Sequence, residues 1–248
     1  MPGHPPRRRP FPAAAALLGI AAVLAVAGCS AAPAVATSVN QPGPGRPSHI
    51  ARVADTGLHG ATLAVLSGAA SVTISAATMP GTLVRASTPD SSGVRPELVT
   101  VNGVVQVYLA STGQSGPDVV WIQVSSAVRW KLQLSGGASQ TIIQMNHGRL
   151  AALDFTAGSS LITAALPRPD GTVTITLAGG ASQLNLTVPR GVPARLQLFG
   201  GASQAVLGGR TYTGIGGGTV LAAPGWASAP DRYDLDAVSG VSQVTVAS

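Results

Sequence analysis

The sequence has a single cysteine, Cys29, a single glutamate, Glu97, and a single lysine, Lys131. One thiol excludes an intramolecular disulfide and any cysteine-rich metal site. One glutamate leaves a paired-carboxylate glycosidase dependent on aspartates, and those are spread through turn-like segments. Beyond the first thirty residues there are three histidines, His49, His59 and His147. None lies within three to five residues of another and no His-Glu-x-x-His occurs, so zinc has no cage. A Gly-x-Ser-x-Gly nucleophile elbow is also missing. His147, Asp154 and a serine from the repeats below would be the one triad to consider, but Asn146-His147-Gly148 reads as a turn. Charged residues make up 10% and aromatics 4% of the chain. The arginines are scattered rather than clustered with stacking aromatics, which gives nucleic acid no basis for binding.

What is present begins with an address. Arg7-Arg8-Arg9 precede an apolar stretch, Ala13 to Ala27, which as a helix would reach only about 22 Å and so suits a signal h-region rather than a membrane span. Val26-Ala27-Gly28-Cys29 follows. It resembles the lipobox of bacterial lipoproteins, which implies cleavage before Cys29, diacylglycerol and palmitate on its sulfur and amine, and tethering to the outer face of the cytoplasmic membrane. Either the general or the twin-arginine export route (Arg8-Arg9) fits. Loss of Arg7, Arg8 and Arg9 lowers the formal net charge from +6 to +3, with twelve basic residues left against nine acidic. Residues 29–55, rich in Ala, Pro, Gly, Ser and Thr, read as a flexible tether holding a domain roughly 25–30 Å away.

The rest is repetitive. Gly136-Gly137-Ala138-Ser139-Gln140 recurs as Gly179-Gly180-Ala181-Ser182-Gln183 and Gly200-Gly201-Ala202-Ser203-Gln204, with a looser copy in Gly240-Val241-Ser242-Gln243 and a degenerate one in Gly158-Ser159-Ser160. The serines fall at 139, 160, 182, 203 and 242, spacings of 21, 22, 21 and 39. Positions two and four beyond each serine are mostly apolar, which predicts an interior strand face. Each unit reads as strand, glycine bend, strand, the glycines either turning the chain or letting backbones approach closely. Leu166-Pro167-Arg168 and Val188-Pro189-Arg190 end two strands alike, since proline has no N–H for the ladder. A unit of about 21 residues cannot close a core alone, so successive units should stack edge to edge, each on the next. Leu63 to Ile74 reads as a further copy, and Val99 to Val107 as a hairpin about Asn102-Gly103. The expected organisation is a signal peptide over 1–28, a tether over 29–55, an eroded repeat half over 56–125 and a clear repeat domain over 126–248. The fold class is all-β, a β-solenoid or an open stack of strands.

With these residues in view, the stretch from Trp130 to Val246 resembles the toast-rack β-repeat domain of bacterial envelope proteins, including the C-terminal domain of LiaF-type stress regulators and adhesin-like proteins of unknown function. The likeness rests on Trp130-Lys131-Leu132-Gln133-Leu134, the recurrent Gly-Gly-Ala-Ser, Val188 to Arg195, Tyr212 to Gly218 and Asp231 to Asp236. It implies fold and envelope location, and it brings no catalytic residues. LiaF-type proteins carry membrane helices before this domain, whereas here a lipid anchor and tether stand in their place.

Candidate sites are few. Asp234 and Asp236 share a strand face and could be weighed for Ca²⁺, although a solvated outer face explains them with fewer ligands required. Gly214-Ile215-Gly216-Gly217-Gly218 lacks the Lys-Ser/Thr close of a phosphate loop. Trp121, Trp130 and Trp226 fit either sugar platforms or core and end caps. The Ser-Gln pairs Ser139-Gln140, Ser182-Gln183, Ser203-Gln204 and Ser242-Gln243 should form a ladder in a register-true stack, either bonding rung to rung or serving as a polar stripe for glycan or peptide. The expected role is a non-catalytic, lipid-anchored envelope scaffold without cofactor or metal, whose partners are the membrane through Cys29 and an envelope protein or wall polymer. A modulator of envelope-stress signalling and a wall enzyme are the alternatives.

Overall fold

In the computed structural model, which describes residues 47–248, alternation at period two becomes two long sheets packed face to face. Cys29 and the export segment lie outside the described residues. The strands are β1 (Pro47–Ala54), β2 (Gly60–Val65), β3 (Ala69–Ala77), β4 (Thr82–Pro89), β5 (Val94–Val101), β6 (Val104–Ser111) and β7 (Val119–Ser125). There follow β8 (Arg129–Leu134), β9 (Ala138–Gln144), β10 (Arg149–Phe155), β11 (Ser159–Ala165), β12 (Thr172–Leu177) and β13 (Ala181–Thr187). The last are β14 (Ala194–Leu198), β15 (Ala202–Leu207), β16 (Arg210–Ile215), β17 (Thr219–Ala222), β18 (Arg232–Ala237) and β19 (Val241–Ala247). One sheet has ten strands in the order β1-β4-β7-β3-β9-β11-β13-β19-β15-β16, and the other nine in the order β17-β14-β18-β12-β10-β8-β2-β6-β5.

Each rung gives one strand to each sheet, as in β8–β9 or β12–β13, and neighbouring rungs pair in parallel. Only the flanking strands are antiparallel: β1, β4 and β5 at one end, β16 and β17 at the other. The positions two and four beyond each repeat serine are buried, as the alternation predicts. Between the sheets, Leu63, Leu132, Leu153, Ile175, Leu235 and Leu196 stand side by side across six rungs. Each is at most 2% exposed, which is worth about 1.5–3 kcal/mol per side chain in transfer free energy. The Asn102-Gly103 hairpin joins β5 to β6, with φ of 50° and 77° at its two central residues.

The glycine pair does two different things. A Cβ on Gly136 would lie 2.1 Å from the Ser67 carbonyl oxygen, one on Gly179 2.2 Å from the Ala157 carbonyl carbon, and one on Gly200 2.3 Å from the Gly240 nitrogen. Across the rungs this position reads Ser67, Gly136, Ala157, Gly179, Ser239, Gly200. At this position a glycine thus alternates with a residue bearing a Cβ from rung to rung, so the degenerate and loose copies are complements of the clear ones. The backbone N–H groups at these bends bond the preceding rung, as when Ala178 and Gly179 donate to the Phe155 carbonyl at 2.8 and 3.1 Å.

Two expectations need correction. Pro47–Ala54, assigned to the tether by composition, is a strand, because Ala51 and Val53 on alternate positions pair with Ala86 and Val84 of β4. Rungs also do not stack strictly in chain order. The last rung, β18–β19, lies between β12–β13 and β14–β15, and the first, β2–β3, lies between β6–β7 and β8–β9. In-register parallel pairing accepts any rung with the same alternation, so order is set by other contacts.

Candidate interaction face

The Ser-Gln pairs begin the strands of the ten-stranded sheet just after the glycine bends; the serines are exposed at the strand start, and the glutamines take the outward face because Thr141, Leu184, Ala205 and Val244 beside them are buried. Gln140 pairs with Ser71 on one side and Leu161 on the other, Leu161 with Gln183, Gln183 with Gln243, and Gln243 with Gln204. Gln183, Gln243 and Gln204 therefore stand on three adjacent rungs, while Leu161 of the degenerate copy separates them from Gln140. Ser139, Ser182, Ser203 and Ser242 form an exposed row one position earlier. Among the described residues these eight side chains do not hydrogen-bond one another; hydroxyl contacts between rungs here are Thr141 with Ser159, at 3.4 Å, and at the bend Thr156 donating to Ser135, at 2.9 Å. Water competes for exposed groups, so the stripe is open to solvent.

Below the stripe, a second outward row runs Trp121, Thr73, Ile142, Thr163, Asn185, Thr245, Val206. A third contains Gln123, Ser75, Gln144, Ala165 and Thr187. Apart from Trp121, amides, hydroxyls and short aliphatics fill these outward positions, and no aspartate or glutamate is among them. Along the glycine line two shallow troughs open, about 330 Å³ lined by Gly200, Gly201, Ser203, Gly240 and Ser242 and about 260 Å³ lined by Gly158, Ser160, Gly180 and Ser182. The missing Cβ atoms that let the rungs pack also hollow out this edge.

The nine-stranded sheet is the opposite case. Its outer face carries charge, and that charge is matched. Lys131 meets Asp154 at 3.2 Å, Arg195 Nε donates to Asp234 at 2.8 Å, and Gln197 donates to Asp236 at 2.6 Å. The Asp234 hydrogen bond holds the Arg195 guanidinium above its ordinary range. Asp234 and Asp236 are thus committed to an arginine and an amide, and among the described residues no group of three or more His, Cys, Asp or Glu converges as a metal site. Asp154 projects from this sheet and the repeat serines from the other, with the core between, so His147, Asp154 and a repeat serine do not meet.

The three tryptophans differ. Trp130 is fully buried and its indole N–H donates to the Ser125 carbonyl at 2.8 Å. Trp226, in a short 3-10 turn, donates to the Tyr233 carbonyl and has the guanidiniums of Arg195 and Arg232 at 3.8 and 4.6 Å from its ring centre. Trp121 stands half-buried on the outer face of the ten-stranded sheet. Diagonal to it is Arg85 of β4, and opposite Arg85 on the next strand is Arg52 of β1, strands to which the repeat signal does not extend.

No family model matches the sequence, and no curated protein does. Among solved structures the chain is similar to a "putative cell adhesion protein" from Clostridium sporogenes, with a TM-score of 0.56 over 81% of this chain and 100% of that one, at 13% identity. A "putative adhesin" from Bacteroides fragilis aligns over 79% of this chain and 96% of its own with a TM-score of 0.22 and 7% identity, too low to carry an argument. The first likeness shows the fold: a stack of parallel β rungs in two sheets.

Proposed function

We propose that the chain is a non-catalytic interaction module of the bacterial envelope, exported, held at the membrane by a diacylglycerol on Cys29, and binding through the outer face of its ten-stranded sheet. The observation that carries this reading is the contrast between the two faces. One sheet pairs its carboxylates with cations and an amide, while the central rungs of the other present uncharged amides and hydroxyls, and the Ser-Gln pairs among them make no bonds to one another, so their hydrogen-bonding capacity is free for a partner. The fold it shares with the Clostridium protein, whose name refers to cell adhesion, supports the same class of role. Flat polar faces on rigid rungs suit recognition of an extended surface rather than enclosure of a small substrate.

Two measurements test it. Cys29→Ala should abolish palmitate incorporation in a bacterial host, and unchanged labelling would overturn the anchor. Gln183→Lys with Gln243→Lys places two charges at the centre of the stripe without touching the core. Adhesion of cells displaying that variant should fall about tenfold while its melting temperature holds within a few degrees; unchanged adhesion removes the face from the proposal.

A further inference from the structure

Arg52 and Arg85 stand directly opposite each other in the β1–β4 pair, and both project from the outer face of the ten-stranded sheet. Like charges at directly opposed positions repel. Elsewhere on the sheets Lys131 pairs with Asp154, Arg195 with Asp234 and Arg95 with Glu97, Arg232 donates to the carbonyls of Trp226, Ala227 and Ala229, and Arg210 is exposed without an ion pair. Among the described residues Arg52 and Arg85 have no ion pair, and the Arg85 Nε is buried with no hydrogen-bond partner. Next along the same rows come Gln123, opposite Arg85, and Trp121, opposite Ser87 and Thr73. Trp121 is diagonal to Arg85, within about 7–8 Å.

The ring of Trp121 is uncovered by arginine, unlike that of Trp226, and its indole N–H is unbonded, unlike those of Trp130 and Trp226. Two guanidiniums without ion pairs, an aromatic face and an amide therefore lie on three adjacent strands, with no carboxylate in their rows.

We propose that Arg52, Arg85, Gln123 and Trp121 form a binding site for an acidic glycan, a sugar chain bearing an anionic group on the ring. This names the ligand class for the face identified above and rests on that reading. An indole stacks on the apolar C–H face of a sugar ring. Opposed guanidiniums grip a planar carboxylate by paired N–H bonds that a single lysine does not offer. The hydroxyls and amides of Thr73, Ser75 and Gln144 continue the rows beyond Trp121 at the rung spacing of about 4.8 Å, so further sugar units meet donors and acceptors. Charge complementarity selects the anion, and the uncharged rows suit hydroxyls. A role in blunting the sheet edge accounts for Arg52 on β1. It does not account for Arg85, one strand in.

The test uses the full-length chain in mild detergent and three probes: oligogalacturonate, a neutral dextran oligosaccharide and poly-L-glutamate. Oligogalacturonate should bind and change the tryptophan emission, and the other two should bind at least tenfold more weakly. Trp121→Ala and Arg85→Gln should each weaken oligogalacturonate at least tenfold. Because Trp121→Ala removes a half-buried ring, Arg85→Lys serves as the second variant: it keeps the charge and loses the paired geometry, so most of the affinity should go while the melting temperature stays. No binding of oligogalacturonate, equal binding of poly-L-glutamate, or full binding by Arg85→Lys overturns the site. Loss of adhesion in the Gln183→Lys, Gln243→Lys variant alongside no oligogalacturonate binding would sink this site alone. Intact adhesion in that variant would sink the broader reading of the face.

Discussion

Tyr233 shows how much one residue can hold. It is 1% exposed, and its hydroxyl donates to the Pro167 carbonyl at 2.7 Å, tying β18 to the turn after β11. Burial pushes its phenol above the ordinary value of 10.0. The folded state therefore keeps a proton that the unfolded chain releases once pH passes about 10, and stability falls with pH from there upward, up to the raised value. Below that pH both states are protonated and the group gives no slope. Tyr233→Phe should cost about 1 kcal/mol at neutral pH, from the lost hydrogen bond and an orphaned carbonyl. It should also flatten the alkaline decline. Urea titrations at pH 7 and pH 11 read both effects, and a variant with the same alkaline slope as the parent would assign the decline to another group.

At the scale of the bend, the alternation of Gly136, Gly179 and Gly200 with Ser67, Ala157 and Ser239 makes a sharp contrast. Gly179→Ala drives a methyl into the backbone of the neighbouring rung, 2.2 Å from the Ala157 carbonyl carbon, and should cost about 3 kcal/mol or more, at the upper end of overpacking. Gly180→Ala meets the nearest atom, the Gly240 carbonyl oxygen, at an ordinary 3.5 Å and should stay within about 1 kcal/mol. Thermal melts of the pair check this, and equal losses would deny the close approach. The repeat itself was legible in the sequence because glycine pairs and period-two alternation are strong local signals. The complementarity was not, since it links residues far apart in sequence through space, Gly136 to Ser67, Gly179 to Ala157 and Gly200 to Ser239. The Ser-Gln stripe could be placed on one face from spacing alone. Arg52, Arg85 and Trp121 could not, because β1 and β4 lie outside the repeat and meet Trp121 only through antiparallel pairing.

For the whole molecule, rung order carries the consequence. In a solenoid wound in chain order, the final rung is an end cap whose loss shortens the stack and spares the rest. Here β18–β19 is the last rung in sequence but the last but one in space, flanked on both sheets. Apolar alternation does not choose that slot, because Leu235 would fit beside any of the core leucines. Polar contacts of β18 and the turn before it with the segment leading into β12 do: Tyr233 with Pro167, and the Gly171 N–H donating to Asp231 at 2.8 Å. Neither could form at the end of a chain-order stack, whereas Arg195 with Asp234 and Gln197 with Asp236 join β18 to β14 and would fit either order. Removing residues 226–248 should therefore release β14 to β17 as well, since both of their sheets lose their inner partner. Amide hydrogen exchange should show protection vanishing across 194–222 while strands from 60 to 187 keep theirs. Native protection in β14 and β15 after that deletion would mean that they re-dock on β12 and β13, and that the connector Val188–Pro193, rather than these polar contacts, fixes the order of the stack.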